Sequence, residues 1–302
     1  MKRPSLAKDL RAMARGWRWG RRPLVPRSVE PLHVEPRDFP TEWARGRRAQ
    51  AARAAIQQYA LKPLLNVETE THVEGLDVLD TIVPPAIFVA NHSSHLDAPL
   101  VLTSLPPAWR ARTATGAAAD YFFDVWWRAA ATALVFNAFP VERAGSKGRT
   151  TRLAKDLLED GWSILVFPEG TRSKDGWVRA LRLGAARLAV DNRVPVVPVA
   201  LRGTYHAMPR GSAWIAKGRP PVHVRFGRPL FPQEHEAAHD FNTRIKRALA
   251  VTLNEDGQTW WESLKAAARE QTPSIGGPPA ARWRRTWEAS RPLPKKRSAF
   301  PR

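Results

Sequence analysis

Short apolar runs alternate with amphipathic stretches between residues 66 and 230. The apolar runs predict buried strands, and the stretches with apolar positions three or four residues apart predict helices. Because strands that alternate with helices usually pair in parallel, we expect an α/β fold, with a central mostly parallel or mixed sheet flanked by helices. Strands are predicted at 66–73, 86–90, 164–167, 196–201 and 222–226, and helices at 120–134, 147–160 and 180–190.

The flanking sequence divides the chain into three parts. Residues 1–40 predict a basic amphipathic arm and a proline-rich linker. The main domain is expected over 41–270. It begins with an Ala- and Arg-rich helical extension that should end near Pro63, and it closes with helices around Ile245 and over 260–269. Residues 271–302, rich in Pro, Gly and Arg, predict a basic flexible tail.

Composition limits the chemistry and indicates a partner. The 302 residues include no cysteine, which excludes disulfides, thiolate metal sites and a cysteine nucleophile. The net charge is +20 and concentrates at the ends, with nine basic residues and one Asp in 1–27, and eight basic residues and one Glu in 271–302. Basic ends indicate an anionic partner, either a membrane surface or nucleic acid. No apolar run reaches the roughly 18 residues of a membrane span, and 1–20 lacks the apolar core of a secretory signal.

The segment 91–97, NHSSHLD, places reactive side chains directly after a predicted strand. Ligands and catalytic groups collect at the carboxyl ends of strands in α/β folds. With His92 in the turn and Asp97 in the first turn of a following helix, the carboxylate can orient the imidazole as a general base requires. The alternative is an ordinary helix start, with Ser93 or Ser94 as the N-cap and Asp97 favourable in the first turn.

Two further segments carry polar groups suited to phosphate. The predicted strand 164–167 runs into Glu169, Gly170, Thr171 and Arg172, which offer a carboxylate, close backbone approach, a hydroxyl and a planar guanidinium. Arg143 follows another apolar segment. The alternatives are a tight turn with a surface salt bridge for the first segment, and an Arg paired with an acidic neighbour for the second.

Together these segments resemble the glycerolipid (lysophospholipid) acyltransferase family, which includes the 1-acylglycerol-3-phosphate acyltransferases. The family block N-H-x-x-x-x-D is matched by Asn91, His92 and Asp97, and the block F-P-E-G-T-R-S by residues 167–173. A third block, G-x-x-F-x-x-R, is matched by Arg143 only, because Asn137 and Pro140 replace its Gly and Phe. A Val/Ile-Pro run matches 194–199.

The resemblance implies a mechanism and its participants. His92 would be the general base on an acceptor hydroxyl and Asp97 would orient it, while His95 would be structural or peripheral. Arg143, Glu169, Gly170, Thr171 and Arg172 would surround the acceptor's phosphate. The donor would be acyl-CoA or acyl carrier protein, and the acceptor a lysophospholipid, most simply 1-acylglycerol 3-phosphate in phospholipid biosynthesis. No metal or cofactor is expected, nor nucleic acid as a partner. The enzyme would lie at an anionic membrane surface, as a peripheral protein on the cytoplasmic face of the cell membrane.

Three alternatives stay open at the level of sequence. The acceptor could be another lipid or a glycolipid. A serine hydrolase would use Ser93 or Ser94 as nucleophile with His92 or His95 as base, although the G-x-S-x-G elbow is lacking. A basic membrane- or nucleic-acid-binding module would explain the charged ends but not two reactive clusters after strands.

Overall fold

The α/β fold that the sequence predicts is present. A computed structural model describes residues 39–142 and 147–293, and in these residues the strands form one seven-stranded sheet in the order β1-β7-β6-β2-β5-β3-β4. The β6–β7 pair is antiparallel and the other neighbouring pairs are parallel. The strands are β1 (Glu70–Glu74), β2 (Ile87–Ala90), β3 (Thr113–Ala118), β4 (Ala138–Val141), β5 (Ser163–Val166), β6 (Val196–Arg202) and β7 (Pro221–Phe226).

Helices precede the sheet, cover its faces and follow it. A 3₁₀ turn (Glu42–Arg45) and a π-helical turn (Gln57–Leu61) flank α1. The α-helices are α1 (Arg47–Ile56), α2 (Lys62–Glu68), α3 (Asp97–Ser104), α4 (Pro107–Ala111), α5 (Ala119–Phe122), α6 (Trp126–Phe136), α7 (Lys147–Glu159), α8 (Gly184–Asn192), α9 (Thr204–Ala207), α10 (Ala238–Glu255), α11 (Trp260–Ala268) and α12 (Arg282–Ala289).

Strand β2 shows why the sheet is buried on both faces. Successive side chains of a strand point to opposite faces. Ile87 and Val89 belong to a core with residues of α7, α8 and α10, whereas Phe88 and Ala90 belong to a second core with residues of α3, β6 and β7. The continuous apolar run of β2 is therefore the pattern expected of a central parallel strand.

The topology brings the two predicted reactive segments together. Strand β2 pairs in parallel with β5, with Ile87 opposite Ile164 and Val89 opposite Val166. The segment after Ala90 and the segment after Val166 therefore leave the same edge of the sheet side by side. This is where polar groups of an α/β protein can converge on a ligand.

The sequence patterns missed β3 and β4. Strand β3 reads TATGAA, whose small side chains give no bulky apolar run. Strand β4 reads AFPV and lies at the edge of the sheet, where the missing N–H of Pro140 is tolerated. The strand predicted over 66–73 begins only at Glu70, because the preceding helix continues to Glu68.

Two helix predictions need correction. Helical structure does not end at Pro63, because this proline falls in the first turn of α2, after the π-helical turn, where its missing N–H is tolerated. The helix predicted over 120–134 is two helices, α5 and α6, because the backbone at Val125 is extended. The aromatic residues there consequently face more than one direction.

The C-terminal residues 271–293 are not the flexible tail that their composition predicts. Helix α12 lies within them and is joined to the body by Arg285, whose Nε donates to Asp175 Oδ2 at 2.8 Å. Trp177 Nε1 donates to the Arg285 carbonyl at 3.0 Å. Composition missed these contacts because they depend on a loop more than one hundred residues earlier in the chain.

The amphipathic helix predicted within 5–18 lies outside the described residues, as do most of the arm and the last part of the tail. Over 39–142 and 147–293, no helix combines the length and apolar character needed to span a bilayer.

Candidate active site

His92 and Asp97 meet at the carboxyl end of β2, as the sequence predicts. His92 lies in the turn after the strand, and Asp97 is the first residue of α3. Their side chains join through a 2.9 Å contact between Nδ1 and Oδ2. The turn therefore brings together two side chains that a continuous helix would separate.

The carboxylate of Asp97 sets the tautomer of His92. An ionised carboxylate only accepts hydrogen bonds, so Nδ1 carries the proton and Nε2 keeps its lone pair. Asp97 Oδ2 also accepts from the backbone N–H groups of Ser93, at 2.6 Å, and Ser94, at 2.8 Å. The Asp97 side chain is inaccessible to solvent, whereas that of His92 is 21% exposed. The imidazole is thus fixed on one side and open on the other.

Polar side chains fasten the turn to the elements around it. Asn91 donates to the carbonyl of Leu201 at 2.9 Å and accepts from its N–H at 2.8 Å, which ties the end of β2 to β6. The sequence motif includes Asn91 without indicating this contact, because the partner lies 110 residues away.

The two serines are buried and bonded away from the imidazole. Ser93 Oγ contacts Thr204 Oγ1 at 2.8 Å, and Ser94 Oγ donates to the Met208 carbonyl at 2.8 Å. Ser93 is 4% exposed and Ser94 is inaccessible. Neither serine caps α3 through its side chain. This geometry argues against either serine as the nucleophile of a hydrolase.

Phe167 is a site residue that sequence reasoning did not assign. Its ring stacks on the imidazole of His92, with centroids 4.3 Å apart and planes at 27°. Phe167 directly follows β5, so the stack depends on the parallel pairing of β2 with β5. The flat contact fixes the plane of the imidazole while Asp97 fixes its rotation.

Glu169 joins the two motifs through the backbone. Its Oε1 accepts from the N–H of His92 at 2.6 Å, and its Oε2 accepts from the N–H of Arg179 at 2.8 Å. In return, the N–H of Ser173 donates to the carbonyl of His92 at 2.8 Å. Burial raises the pKa of Glu169 to about 7; the two N–H donors oppose this shift, and the charge of Asp97 adds to it. The residue predicted to lie near a phosphate thus holds the turn that carries His92.

Gly170 is held in a conformation that requires glycine. Its φ is +70°, and a Cβ there would lie 2.7 Å from Cζ and Nε of Arg182. The Arg182 backbone N–H donates to the carbonyl of Pro168 at 2.9 Å. The guanidinium of Arg182 therefore lies against the backbone of the predicted phosphate loop. Sequence reasoning missed this arginine because it falls outside every motif.

Arg172 lies close enough to His95 for its charge to influence the imidazole. Burial lowers the pKa of His95 to about 4; the charge of Arg172 and that of a protonated His92 add to this shift, and Asp97 opposes it. The His95 ring stacks on Tyr121, with centroids 5.6 Å apart. His95 is therefore neutral near pH 7 and packed beside the site. Thr171, the other predicted member of this loop, is half-buried.

Arg143 lies outside the described residues, so its place near a phosphate stays a prediction. The structure explains why Asn137 can replace the glycine of the block G-x-x-F-x-x-R. Its φ is 48°, in the left-handed region, and it closes α6. Glycine adopts this conformation most readily, and asparagine is the commonest substitute. The chain therefore keeps the turn that a glycine would make at this position.

Comparisons with known proteins point to acyl transfer. Residues 70–202 match the family model described as Acyltransferase. This part of the chain is similar to the acyltransferase family. The match includes both reactive turns, with His92 and Asp97, and ends at the last residue of β6.

Similar members of the acyltransferase family come from plants and a bacterium. A chloroplastic 1-acyl-sn-glycerol-3-phosphate acyltransferase of Brassica napus is 32% identical over 61% of this chain and 51% of its own length. One from Arabidopsis thaliana is 35% identical over 48% of this chain and 39% of its own. The chain thus spans about half or less of these relatives. The crystal structure of the 1-acyl-sn-glycerophosphate acyltransferase PlsC from Thermotoga maritima has a TM-score of 0.51 and 27% identity, over 67% of this chain and 82% of that one.

Proposed function

We propose that the protein is an O-acyltransferase that moves a fatty acyl group from a thioester donor to the hydroxyl of 1-acylglycerol 3-phosphate. The observation that carries the proposal is the buried Asp97 carboxylate bonded to Nδ1 of His92, beside a loop that offers arginines to a phosphate. The names of the plant and bacterial relatives support the choice of acceptor.

His92 performs the proton transfers of this reaction. Its Nε2 accepts the proton of the acceptor hydroxyl as the oxygen attacks the carbonyl carbon of the thioester. The tetrahedral intermediate collapses, the C–S bond breaks, and the imidazolium returns the proton to the departing sulfur. The products are an ester and a free thiol. Asp97 holds the imidazole in the required tautomer and stabilises its positive charge.

The loop after β5 binds the acceptor's phosphate. Gly170 lets the backbone approach closely, Thr171 offers a hydroxyl, and Arg172 offers a planar guanidinium that matches phosphate oxygens. Arg143 belongs to the same site by its place in the motif. Arg182 adds a guanidinium beside Gly170. Glu169 acts differently, as a positioning residue, because both of its oxygens are bonded to the backbone.

The donor is acyl-CoA or acyl carrier protein, and the reaction belongs to phospholipid biosynthesis. The acceptor and product are lipids of a bilayer, so the protein works as a peripheral enzyme on an anionic membrane surface, at its cytoplasmic face. The basic ends of the chain support this location through their attraction to anionic lipid.

A competition assay tests the proposal. Purified protein receives acyl-CoA or acyl carrier protein together with lysophosphatidate, other lysophospholipids, a monoacylglycerol and a glycolipid, and mass spectrometry identifies the lipids formed. Phosphatidate is the expected main product. Preferential acylation of the non-phosphorylated alcohols would contradict the phosphate-binding role of the loop. Release of free fatty acid with no new ester would contradict acyl transfer itself.

A further inference from the structure

Helix α12 has an inner side that is fixed to the protein near the site. Arg285 bonds Asp175 at 2.8 Å, in the loop that follows the phosphate-binding segment. Just beyond the helix, the carbonyl of Ser290 lies 2.6 Å from Nδ1 of His206. A Cβ added at Gly176 would lie 2.4 Å from that of Ala289, which shows how closely the helix packs on the loop. The orientation of α12 is therefore set by the fold.

The outer side of α12 presents two tryptophans to solvent. Trp283 and Trp287 are one helical turn apart, and at about 100° per residue they lie on the side roughly opposite Arg285 and Ala289. Trp283 is 73% exposed and Trp287 is 57% exposed. Two large aromatic side chains held outward on an ordered helix indicate a surface that contacts an apolar partner.

Basic side chains lie beside these tryptophans. Arg284 and Arg291 are exposed, and the guanidinium of Arg291 lies 5.4 Å from the ring centroid of Trp287. Glu288 is the single acidic residue in the sequence 281–293, and it pairs with Arg284 at 3.2 Å. Helices that combine tryptophan with arginine suit the interface of an anionic bilayer, where the ring lies among headgroups and the cation meets phosphate.

We propose that this tryptophan face, made of Trp283 and Trp287 with Arg284 and Arg291, docks the protein on an anionic bilayer. The docking proposal rests on the proposed function in one respect. Docking through this face would bring the membrane that holds the lipid acceptor to the loop beside the active site. Asp175 and Trp177 of that loop contact α12 directly. The N-terminal arm is a separate, sequence-based candidate for membrane attraction.

Vesicle co-sedimentation of the full chain tests the docking face. The vesicles contain phosphatidylcholine with or without phosphatidylglycerol. The double variant Trp283→Ala/Trp287→Ala should bind the phosphatidylglycerol vesicles about tenfold more weakly, since two interfacial anchors are lost. The matched control is Trp260→Ala/Trp261→Ala, which removes two similarly exposed tryptophans from α11. This control should bind within about twofold of the unmodified chain.

A charge variant separates lipid from protein as the partner. Arg284→Gln/Arg291→Gln should weaken binding to phosphatidylglycerol vesicles and make it less sensitive to salt. Unchanged vesicle binding by the tryptophan variant, or equal weakening by the α11 control, would overturn the proposal. The proposal would also be overturned if the charge variant lost binding to acyl carrier protein but still bound phosphatidylglycerol vesicles normally. Because these readouts need no turnover, a failed acyltransferase assay leaves the docking test decisive by itself.

Discussion

Glu169 accepts a 2.6 Å hydrogen bond from the backbone N–H of His92, which lies 77 residues earlier in the chain. The bond connects the turn after β2 to the turn after β5. The carboxylate of Glu169 therefore fixes the main chain of His92, whose side chain is the proposed base. A small movement of such a base lowers the rate steeply, because proton transfer requires hydrogen-bond distance to the substrate.

Glu169→Gln should change how stability depends on pH. Burial raises the pKa of Glu169 to about 7 in the folded chain, from an ordinary value of 4.5. The folded state therefore binds this proton more strongly than the unfolded state does. The resulting contribution of Glu169 to the free energy of unfolding is fully present below pH 4.5 and is lost as the pH rises through about 7. The loss amounts to at most about 3 kcal/mol. Urea unfolding from pH 4 to 8 should show the stability of the unmodified chain falling relative to Glu169→Gln; parallel pH profiles would contradict the shift.

Asp97→Asn should lower kcat/KM for acyl transfer by about 10³-fold, because the amide no longer stabilises the charged imidazole or enforces its tautomer. The matched control is Asp240→Asn, since Asp240 also lies in the first turn of a helix beside a histidine, at 3.6 Å, but both side chains are exposed. The control should keep near-normal turnover. Equal kinetics of the two variants would remove Asp97 from the mechanism.

Gly170→Ala should impair the phosphate loop. The φ of +70° is unfavourable for alanine, and the new methyl group would lie 2.7 Å from the Arg182 guanidinium. We expect a stability loss of about 1–2 kcal/mol and at least about a tenfold rise in KM for lysophosphatidate. Gly148→Ala is the control, because a Cβ there meets no atom within 4 Å. Normal KM values for Gly170→Ala would show that the loop does not need this backbone geometry.

Arg285 and Asp175 should be energetically coupled. A double-mutant cycle with Arg285→Ala and Asp175→Ala should give a coupling free energy of about 1 kcal/mol, since both side chains are partly buried. The control cycle uses Arg284 and Glu288, an i,i+4 pair on the outer side of α12. Its coupling should stay below about 0.5 kcal/mol. If urea unfolding gives zero coupling for the first pair, α12 does not stabilise the loop through this contact.

The sequence predicts those parts of the site whose residues lie close together in the chain. His92 and Asp97 are five residues apart after a recognisable strand, so turn geometry alone brings them together. Arg182 and α12 gave no comparable signal, because their positions depend on contacts between distant segments. Strand β3 was missed for another reason: its residues are small, and its neighbours in the sheet rather than its own side chains define it.

The most direct test of the account compares two histidines of one turn. His92→Ala and His95→Ala are assayed for phosphatidate formation from acyl-CoA and lysophosphatidate, with folding checked by circular dichroism. His92 is bonded to Asp97, whereas His95 stacks on Tyr121. His92→Ala should lower kcat/KM by at least about 10³-fold, and His95→Ala by less than about tenfold. Turnover by His92→Ala close to that of the unmodified chain would contradict the account.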